Sequence, residues 1–466
     1  MMRVLEFLAA LVIVAVVGVL AAVIMPSSGH VERSLVIGKD LRQVYDVLDN
    51  FRRFPQYSAL RGTDPNTKYE FSGKFFGPGS EISWTSDQEQ IGHGGMTIAS
   101  AKPEFDKIDA STQKATIIWN LDNNWRGLDK HYTLDLEREG SRGQLTKVTW
   151  AYDVAYGWNL VNRFSYLYLH GDPDSFIQFG LNNLQNVLAG MPNIDYSSLV
   201  PYIEQTQPTP VLLVSTSMER KQGLGALDDA INAATTELQD AAKKLGVNVT
   251  GTRILFTTNY GDQIFSFDVA LPIDSSTLTI DNESYQLSPP IAPALGTAAA
   301  PAPASSTEAA AEGDVMTAGS KDRYGRLVVS GNVRATLAFG GAALRGVWNG
   351  TFAGVPQTRD MLKAYAQTHG YEFDAVVNRP YNVVAKPAVF DEKGNITEYA
   401  KYYVYLPITD APAKTPEQEA GITPPSLDDE SAPAAAGSAP APASSSDVPA
   451  EAASTGDKPA ESASAE

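Results

Sequence analysis

Residues 7–25, FLAALVIVAVVGVLAAVIM, form a run of 19 without a charge. A helix rising about 1.5 Å per residue over that length crosses the roughly 30 Å hydrocarbon layer of a bilayer. Arg3 and the terminal amine precede the run, and the positive-inside rule then places the start in the cytoplasm. We therefore expect residues 4–25 to be a transmembrane anchor or uncleaved signal. It would be single-pass in the inner (cytoplasmic) membrane, N-terminus in, with everything after Pro26 on the periplasmic or extracytoplasmic side. A cleaved signal peptide competes with this reading. Its apolar region is normally about 7–15 residues, but Ser27-Ser28-Gly29 offers small residues for cleavage.

Composition narrows the chemistry. The 466 residues include no cysteine. Disulfide scaffolds, thiol nucleophiles and cysteine-ligated metal sites are excluded. The net charge is -18, of which residues 411–466 carry -8 through ten acidic residues and two lysines. An acidic chain without a basic stripe argues against a nucleic-acid partner. The histidines are His30, His93, His131, His170 and His369, and no pair stands at metal-ligand spacing. No metal and no cofactor are expected. GxSxG, P-loop and GxGxxG patterns are missing, so no catalytic residue is assigned.

The folded part divides by composition. Residues 30–190 are rich in aromatics, 191–208 read as a proline-containing linker, and 209–408 hold two further globular stretches. Between those stretches, 288–320 is mostly Ala, Pro, Ser, Thr and Gly, and reads as a flexible insert. Residues 411–466 have the same character and read as a disordered acidic Ala/Pro/Ser tail.

In 30–190 the pattern is strand, short helices, a run of strands, then a long helix. Val31, Arg33, Leu35 and Ile37 alternate along the opening strand. Asp40 can cap the next helix, with Gln43 as its capping-box partner. Val44, Val47, Leu48 and Phe51 share one face of that helix. Strand patterns occupy 69–73, 81–86, 96–102, 115–121, 131–137 and 145–152. Ile177, Leu181, Leu184 and Leu188 mark the final helix. A curved antiparallel sheet around such a helix leaves room for an apolar pocket. Trp84, Trp119, Trp125 and Trp150 lie in the sheet segments, as core aromatics or as pocket walls that stack on a ligand. Asp106, Asp109, Asp122 and Asp129 read as solvated loop charges.

Several motifs here resemble the SRPBCC superfamily, the helix-grip fold of START and Bet v 1 proteins. They are His30-Val-Glu-Arg-Ser34, Val44-Tyr-Asp-Val-Leu48, Phe54-Pro-Gln-Tyr57, Gly79-Ser-Glu-Ile-Ser-Trp84, Gly94-Gly-Met-Thr-Ile98 and Thr146-Lys-Val-Thr-Trp150. The polyketide cyclase/dehydrase-like branch is the most similar. The resemblance implies a binder of apolar ligands.

The stretch 209–408 contains a repeat. A strand (211–217), a long helix and two strands (253–258, 263–271) are followed by a strand (326–337), a helix and two strands (381–385, 399–406). The helices end at Gly246 and Gly370, and the halves end in Phe267-Asp-Val-Ala-Leu-Pro-Ile273 and Tyr402-Tyr-Val-Tyr-Leu-Pro-Ile408. A pseudo-two-fold β-α-β-β arrangement is expected, making the whole chain α+β. It resembles the GyrI-like effector-binding domain of AraC- and MerR-type regulators. That resemblance implies a pocket near Trp348, Tyr381, Asn382 and Tyr405. Asn382 stands where the family's pocket glutamate is expected, and an amide carries no charge.

The expected function is a membrane-tethered, non-catalytic binding protein for a small hydrophobic or amphipathic molecule or lipid. One alternative is a cyclase- or hydrolase-like enzyme using the same cavities. Another is an envelope interaction module whose acidic tail reaches a protein partner.

Overall fold

Period-two alternation of buried and exposed side chains builds the first sheet. The computed structural model describes residues 2–140, 143–260, 263–292, 317–374, 376–392 and 396–424. Helix α1 (Met2–Ile24) is exposed almost throughout, and its segment Glu6–Ile24 is long and apolar enough to span a membrane. Strand β1 (Ser28–Ile37) follows, then helices α2 (Leu41–Leu48), α3 (Phe54–Tyr57) and α4 (Ala59–Thr63). Next come β2 (Lys68–Gly73), β3 (Ser80–Thr85), β4 (His93–Lys102), β5 (Lys114–Asn123), β6 (Leu128–Glu139) and β7 (Leu145–Ala155). Helices α5 (Leu160–Arg163) and α6 (Asp172–Ala189) close this part. The sheet order is β1-β7-β6-β5-β4-β3-β2, each neighbour antiparallel.

Along β5, Ala115, Ile117, Trp119 and Leu121 point inward while their neighbours are more exposed. Helix α6 answers with Ile177, Leu181, Leu184 and Leu188, all buried. Gly180 lets it approach closely, because a Cβ there would lie 2.9 Å from Trp150 Cζ3. Asp40 does cap α2, accepting from Arg42 N at 2.9 Å. The expected capping box is not made. Gln43 turns away and donates to Pro192 O at 2.7 Å, while its Oε1, the atom that would close the box, meets no partner among the described residues.

The second sheet starts earlier than the sequence indicates. Its strands are β8 (Tyr202–Thr206), β9 (Thr209–Glu219), β10 (Ile254–Tyr260), β11 (Ile264–Pro272), β14 (Leu327–Ser330), β15 (Val333–Ala338), β16 (Gly341–Asn349), β17 (Tyr381–Lys386) and β20 (Lys401–Pro407). Their order is β14-β15-β9-β11-β10-β17-β20-β16-β8. Two hairpins, β12 (Thr277–Ile280) with β13 (Glu283–Gln286) and β18 (Val389–Phe390) with β19 (Ile396–Glu398), lie outside it. Helix α7 (Gly223–Leu245) packs on β9 and β11, and α8 (Val355–Thr368) on β16 and β20. Gly246 ends α7 in the left-handed conformation, φ +69°.

Three expectations need correction. The strand expected at 326–337 is a hairpin, β14 and β15, turning at Gly331 with φ +49°. The strand that precedes α8 is instead β16. Its Gly- and Ala-rich sequence has little β propensity, and pairing on both sides by β20 and β8 holds it. The linker 191–208 supplies edge strand β8 and buried Tyr196 and Ile203. The tail expected from 411 begins with a docked segment carrying helix α9 (Pro416–Glu419) under a Thr415–Gln418 capping box. Residues 425–466 lie outside the described residues, as do 293–316 of the expected insert.

The sheets belong to one compact unit, Met1–Glu430, and a buried polar seam joins them. Arg42 on α2 donates from Nε to Asp46 Oδ2 at 2.8 Å and lies 3.5 Å from Glu417 Oε1. It also donates to the Phe105 carbonyl. Tyr196 donates to the same Asp46 oxygen at 2.8 Å and sits 2.8 Å from Thr368 Oγ1 on α8. Tyr365 donates to Glu417 Oε2 at 2.6 Å. Arg53 reaches Gln367 O at 2.7 Å, and a Cβ at Gly370 would collide with Arg52. Burial pushes the Glu417 carboxyl up to about 7, against the pull of Tyr365 and Arg42. Burial likewise holds Asp49 well above the usual carboxylate range, reinforced by Asp46.

Removing Asp46 strands a buried guanidinium. Asp46→Ala should cost about 3–5 kcal/mol, and Tyr196→Phe about 1 kcal/mol, in urea unfolding of the detergent-solubilised chain. Glu417 sets a pH dependence. The folded chain binds its proton more tightly than the unfolded chain, whose carboxyl titrates near 4.5. Its contribution therefore falls as pH rises from about 4.5 through about 7. Glu417→Gln should flatten the urea midpoint across that window, while an unchanged slope would exclude this carboxyl as the cause.

Candidate functional site

A groove of about 400 Å³ opens where β3, β4 and β5 reach one edge of the first sheet. Ser83, Trp84 and Thr85 line it from β3, His93, Gly94 and Gly95 from β4, and Asp122, Asn123 and Asn124 from the end of β5. Gly94 pairs with Trp84 across the strands. A Cβ at Gly94 would stand 2.6 Å from Trp84 Cζ2 and 2.9 Å from Asp122 O. Glycine there is what allows the indole to lie across the neighbouring strand.

The turn after β5 is clamped from below. Lys130 Nζ donates to Asn123 Oδ1 and Trp125 O, both at 2.9 Å, and also to Asn123 O. Partial burial pulls this ammonium below its ordinary range, with Asp122 opposing. The clamp holds Asn123, Asn124 and Trp125 at the mouth of a narrow neck. That neck, about 30 Å³, is lined by Leu60, Trp84, Ile91, Leu121, Trp125, Tyr132 and Phe176 among others. It has room for one or two waters. Trp84, Asn123 and Asn124 line both spaces, so the polar groove and the apolar neck adjoin.

Beyond the neck the space between sheet and helix is filled. Phe176 stacks on Tyr132 at 5.6 Å and meets Trp150 edge-on at 6.1 Å. Trp119 meets Trp150 at 5.4 Å and Phe51 at 5.2 Å, and its Nε1 donates to Leu48 O at 3.2 Å. The four candidate tryptophans therefore divide. Trp84 and Trp125 line open space, while Trp119 and Trp150 are fully buried core. The apolar pocket expected between sheet and helix is occupied there by aromatic rings, and the groove of about 400 Å³ is polar.

The candidates of the second sheet do not converge. Tyr381 pairs with Tyr405, and their rings stack at 4.8 Å on the face away from α7 and α8. Asn382, one residue on, points to the helix-bearing face with its partner Val404. It is completely buried, and neither amide atom meets a hydrogen-bond partner among the described residues. Trp348 shares that face through its pairing with Tyr402, but it folds over Gly354 and donates to Thr351 O at 2.7 Å. Phe352 packs against both helix cores, 6.2 Å from Phe265 and 6.0 Å from Tyr402, and bridges the cleft between them. Strand alternation divides the four candidates, Tyr381 and Tyr405 on one face and Asn382 and Trp348 on the other, since neighbours in a strand face opposite ways.

The groove also contains residues that the sequence reading did not select. Asp122 is no loop charge, being part of β5 and of the groove wall. His93, Asn123 and Asn124 carry no motif. The Gly94-Gly95 pair opposite Trp84 was the available signal, because consecutive glycines inside a strand mark a close approach. Among the described residues no group of three or more His, Asp or Glu is placed to hold a metal ion.

No family model matches this chain, and no curated protein matches it. Among solved structures, a solution NMR structure from Thermobifida fusca matches 34% of this chain and 90% of its own, with 14% identity and TM-score 0.23. The protein XoxI from Bacillus cereus matches over 35% and 96%, with 14% identity and TM-score 0.24. A hydrolase from Listeria innocua matches over 45% and 91%, with 12% identity and TM-score 0.26. At these scores none of the likenesses bears on fold or function.

Gly94→Ala should displace the Trp84 ring. The expected outcome is a loss of about 1–3 kcal/mol, the usual cost of overpacking, and a red shift of tryptophan emission as the indole moves toward water.

Proposed function

We propose that this protein is a membrane-tethered, non-catalytic binding module for a small amphipathic molecule reached from the bilayer, with the β3-β4-β5 groove as its site. One observation carries this reading: a polar groove adjoining an apolar neck lies at the sheet edge where α1 enters. The registers fix that edge. Ser28 and Leu128 both pair with Ala155, Asn120 with His131, Gly94 with Asn123, and His93 with Thr85. With strands about 4.8 Å apart, β4 lies roughly 20 Å from β1 along one rim. A molecule leaving the outer leaflet would meet the groove without crossing the domain.

Size and lining fit this role. A space of about 400 Å³ is in the usual range for small-molecule sites. Asp122, Asn123, Asn124, Ser83 and His93 offer donors and acceptors to a polar head. Trp84, Trp125 and Ile91 offer an apolar channel to a short tail once their rings move. The ionisable groove groups, His93 and Asp122, are exposed. That favours binding over acid–base chemistry, which draws on desolvated groups.

A helix-grip first half and a GyrI-like second half are part of this proposal. A long helix packed across a seven-stranded antiparallel sheet supports the helix-grip assignment. The succession β9-α7-β10-β11 and β16-α8-β17-β20 supports the two-fold, GyrI-like assignment. Arg3 before α1 supports an orientation with both sheets on the extracytoplasmic side.

The test is native mass spectrometry of the full chain released from nanodiscs, followed by thermal-shift titration of whatever is carried along. Asp122→Ala and Asn124→Ala should each weaken binding about tenfold, the worth of one hydrogen bond at the upper end of its range. A bound molecule indifferent to both changes would place the site elsewhere.

A further inference from the structure

The exit of α1 is surrounded by exposed apolar side chains. Helix α1 ends at Ile24 and β1 starts at Ser28, leaving three residues between them. Such a link spans about 10 Å at most, while the headgroup layer on one side of a bilayer is about 5–8 Å thick. Arg163 holds this end close. Its Nη1 donates to Val23 O at 3.0 Å and Met25 O at 3.3 Å, and its Nε to Gly157 O at 2.8 Å. Those first two carbonyls belong to the helix terminus, where acceptors lack intrahelical partners. Ala22 is buried and α1 contacts α5, so the last turns of α1 and α5 lie side by side.

Around this clamp Trp158 is 86% exposed, Val161 60%, Leu167 64% and Tyr168 72%. The Arg163 guanidinium stands 5.1 Å from the Trp158 ring centroid. Asn159 caps the run by accepting from Val161 N and Asn162 N. Leu128, 67% exposed, reaches the same rim through its pairing with Ala155.

We propose that residues 157–168, with Leu128, form a membrane-seating surface that lies in the headgroup layer of the leaflet α1 leaves. Continuity with α1 names the occupant: Arg163 ties residues 157–168 to the carbonyls at the helix end, so this surface stays level with the point where α1 leaves the lipid. Its chemistry agrees, since Trp and Tyr rings prefer the interfacial layer and apolar side chains enter it by about 5–10 Å. The proposal rests on α1 spanning the bilayer, and it is independent of any ligand in the groove.

The chain has no cysteine, so single-cysteine variants can be labelled cleanly. Val161→Cys, Leu167→Cys and Tyr168→Cys replace exposed side chains and should leave the fold intact. Val12→Cys reports on α1, and Val376→Cys, at a position 57% exposed, reports on water. Each full-length variant carries a nitroxide in phosphatidylcholine–phosphatidylglycerol liposomes, and its collisions with oxygen and with a water-soluble nickel chelate are measured. Labels at 161, 167 and 168 should favour oxygen several-fold over the label at 376. If they match position 376 while position 12 favours oxygen, the proposal fails and the anchor stands. If position 12 is also nickel-accessible, both fail. Shielding of 161, 167 and 168 from both reagents would assign the surface to a second copy and overturn the proposal.

Discussion

Arg42 carries a full charge into the interior, and the arrangement of both sheets follows from how that charge is met. Desolvating a guanidinium costs several kcal/mol unless oxygens replace the lost water. Here they come from three separated places: Asp46 one turn along α2, the Phe105 carbonyl, and Glu417 at 375 residues' distance in sequence. Tyr196 and Tyr365 saturate the two carboxylates from the other side. The first sheet's helix, the segment after the second sheet and α8 are thereby held around one centre. The constraint extends to the groove, because the Leu48 carbonyl at the end of α2 receives the Trp119 indole of β5. The strand that ends in Asp122 and Asn123 is registered against the seam.

The division between what could be read from sequence and what could not follows the range of the interactions. Period-two alternation located the strands of the first sheet that bury one face against a single core, and the turn residues that follow bounded β2, whose side chains are exposed almost throughout. The Ile177–Leu188 spacing located α6 for the same reason. Local rules failed where distant partners decide. β16 is stabilised by neighbours on both sides rather than by its residues, and Tyr196 or Glu417 gains meaning only beside Asp46 and Arg42. The site was half legible. Tryptophans were expected in the sheet, but which of them face open space depends on how far Phe176 and Phe51 fill the interior. Tyr381, Asn382 and Tyr405 were grouped by resemblance, and strand geometry stacks the two tyrosines while turning Asn382 to the opposite face.

A filled interior changes what binding means for this chain. An open cavity would accept apolar molecules broadly by area alone. On the proposed function, a groove beside a space of about 30 Å³ at Trp84 and Trp125 would accept a polar head first. It admits a tail only by moving rings that already pack well, at a cost in contacts given up. Selectivity then resides in the hydrogen-bonding rim, and the aromatic core sets the length that can follow.

With α1 in a bilayer, as proposed, the three residues between α1 and β1 would also fix the dimensionality of encounter. A domain on a long stalk samples the space above its membrane and meets partners by diffusion in three dimensions. A domain held at the surface has almost no vertical search. What reaches its rim arrives by lateral diffusion within one leaflet, at a rate set by surface density rather than bulk concentration. Lengthening that link would therefore change how often the groove is visited without altering any atom of the groove itself.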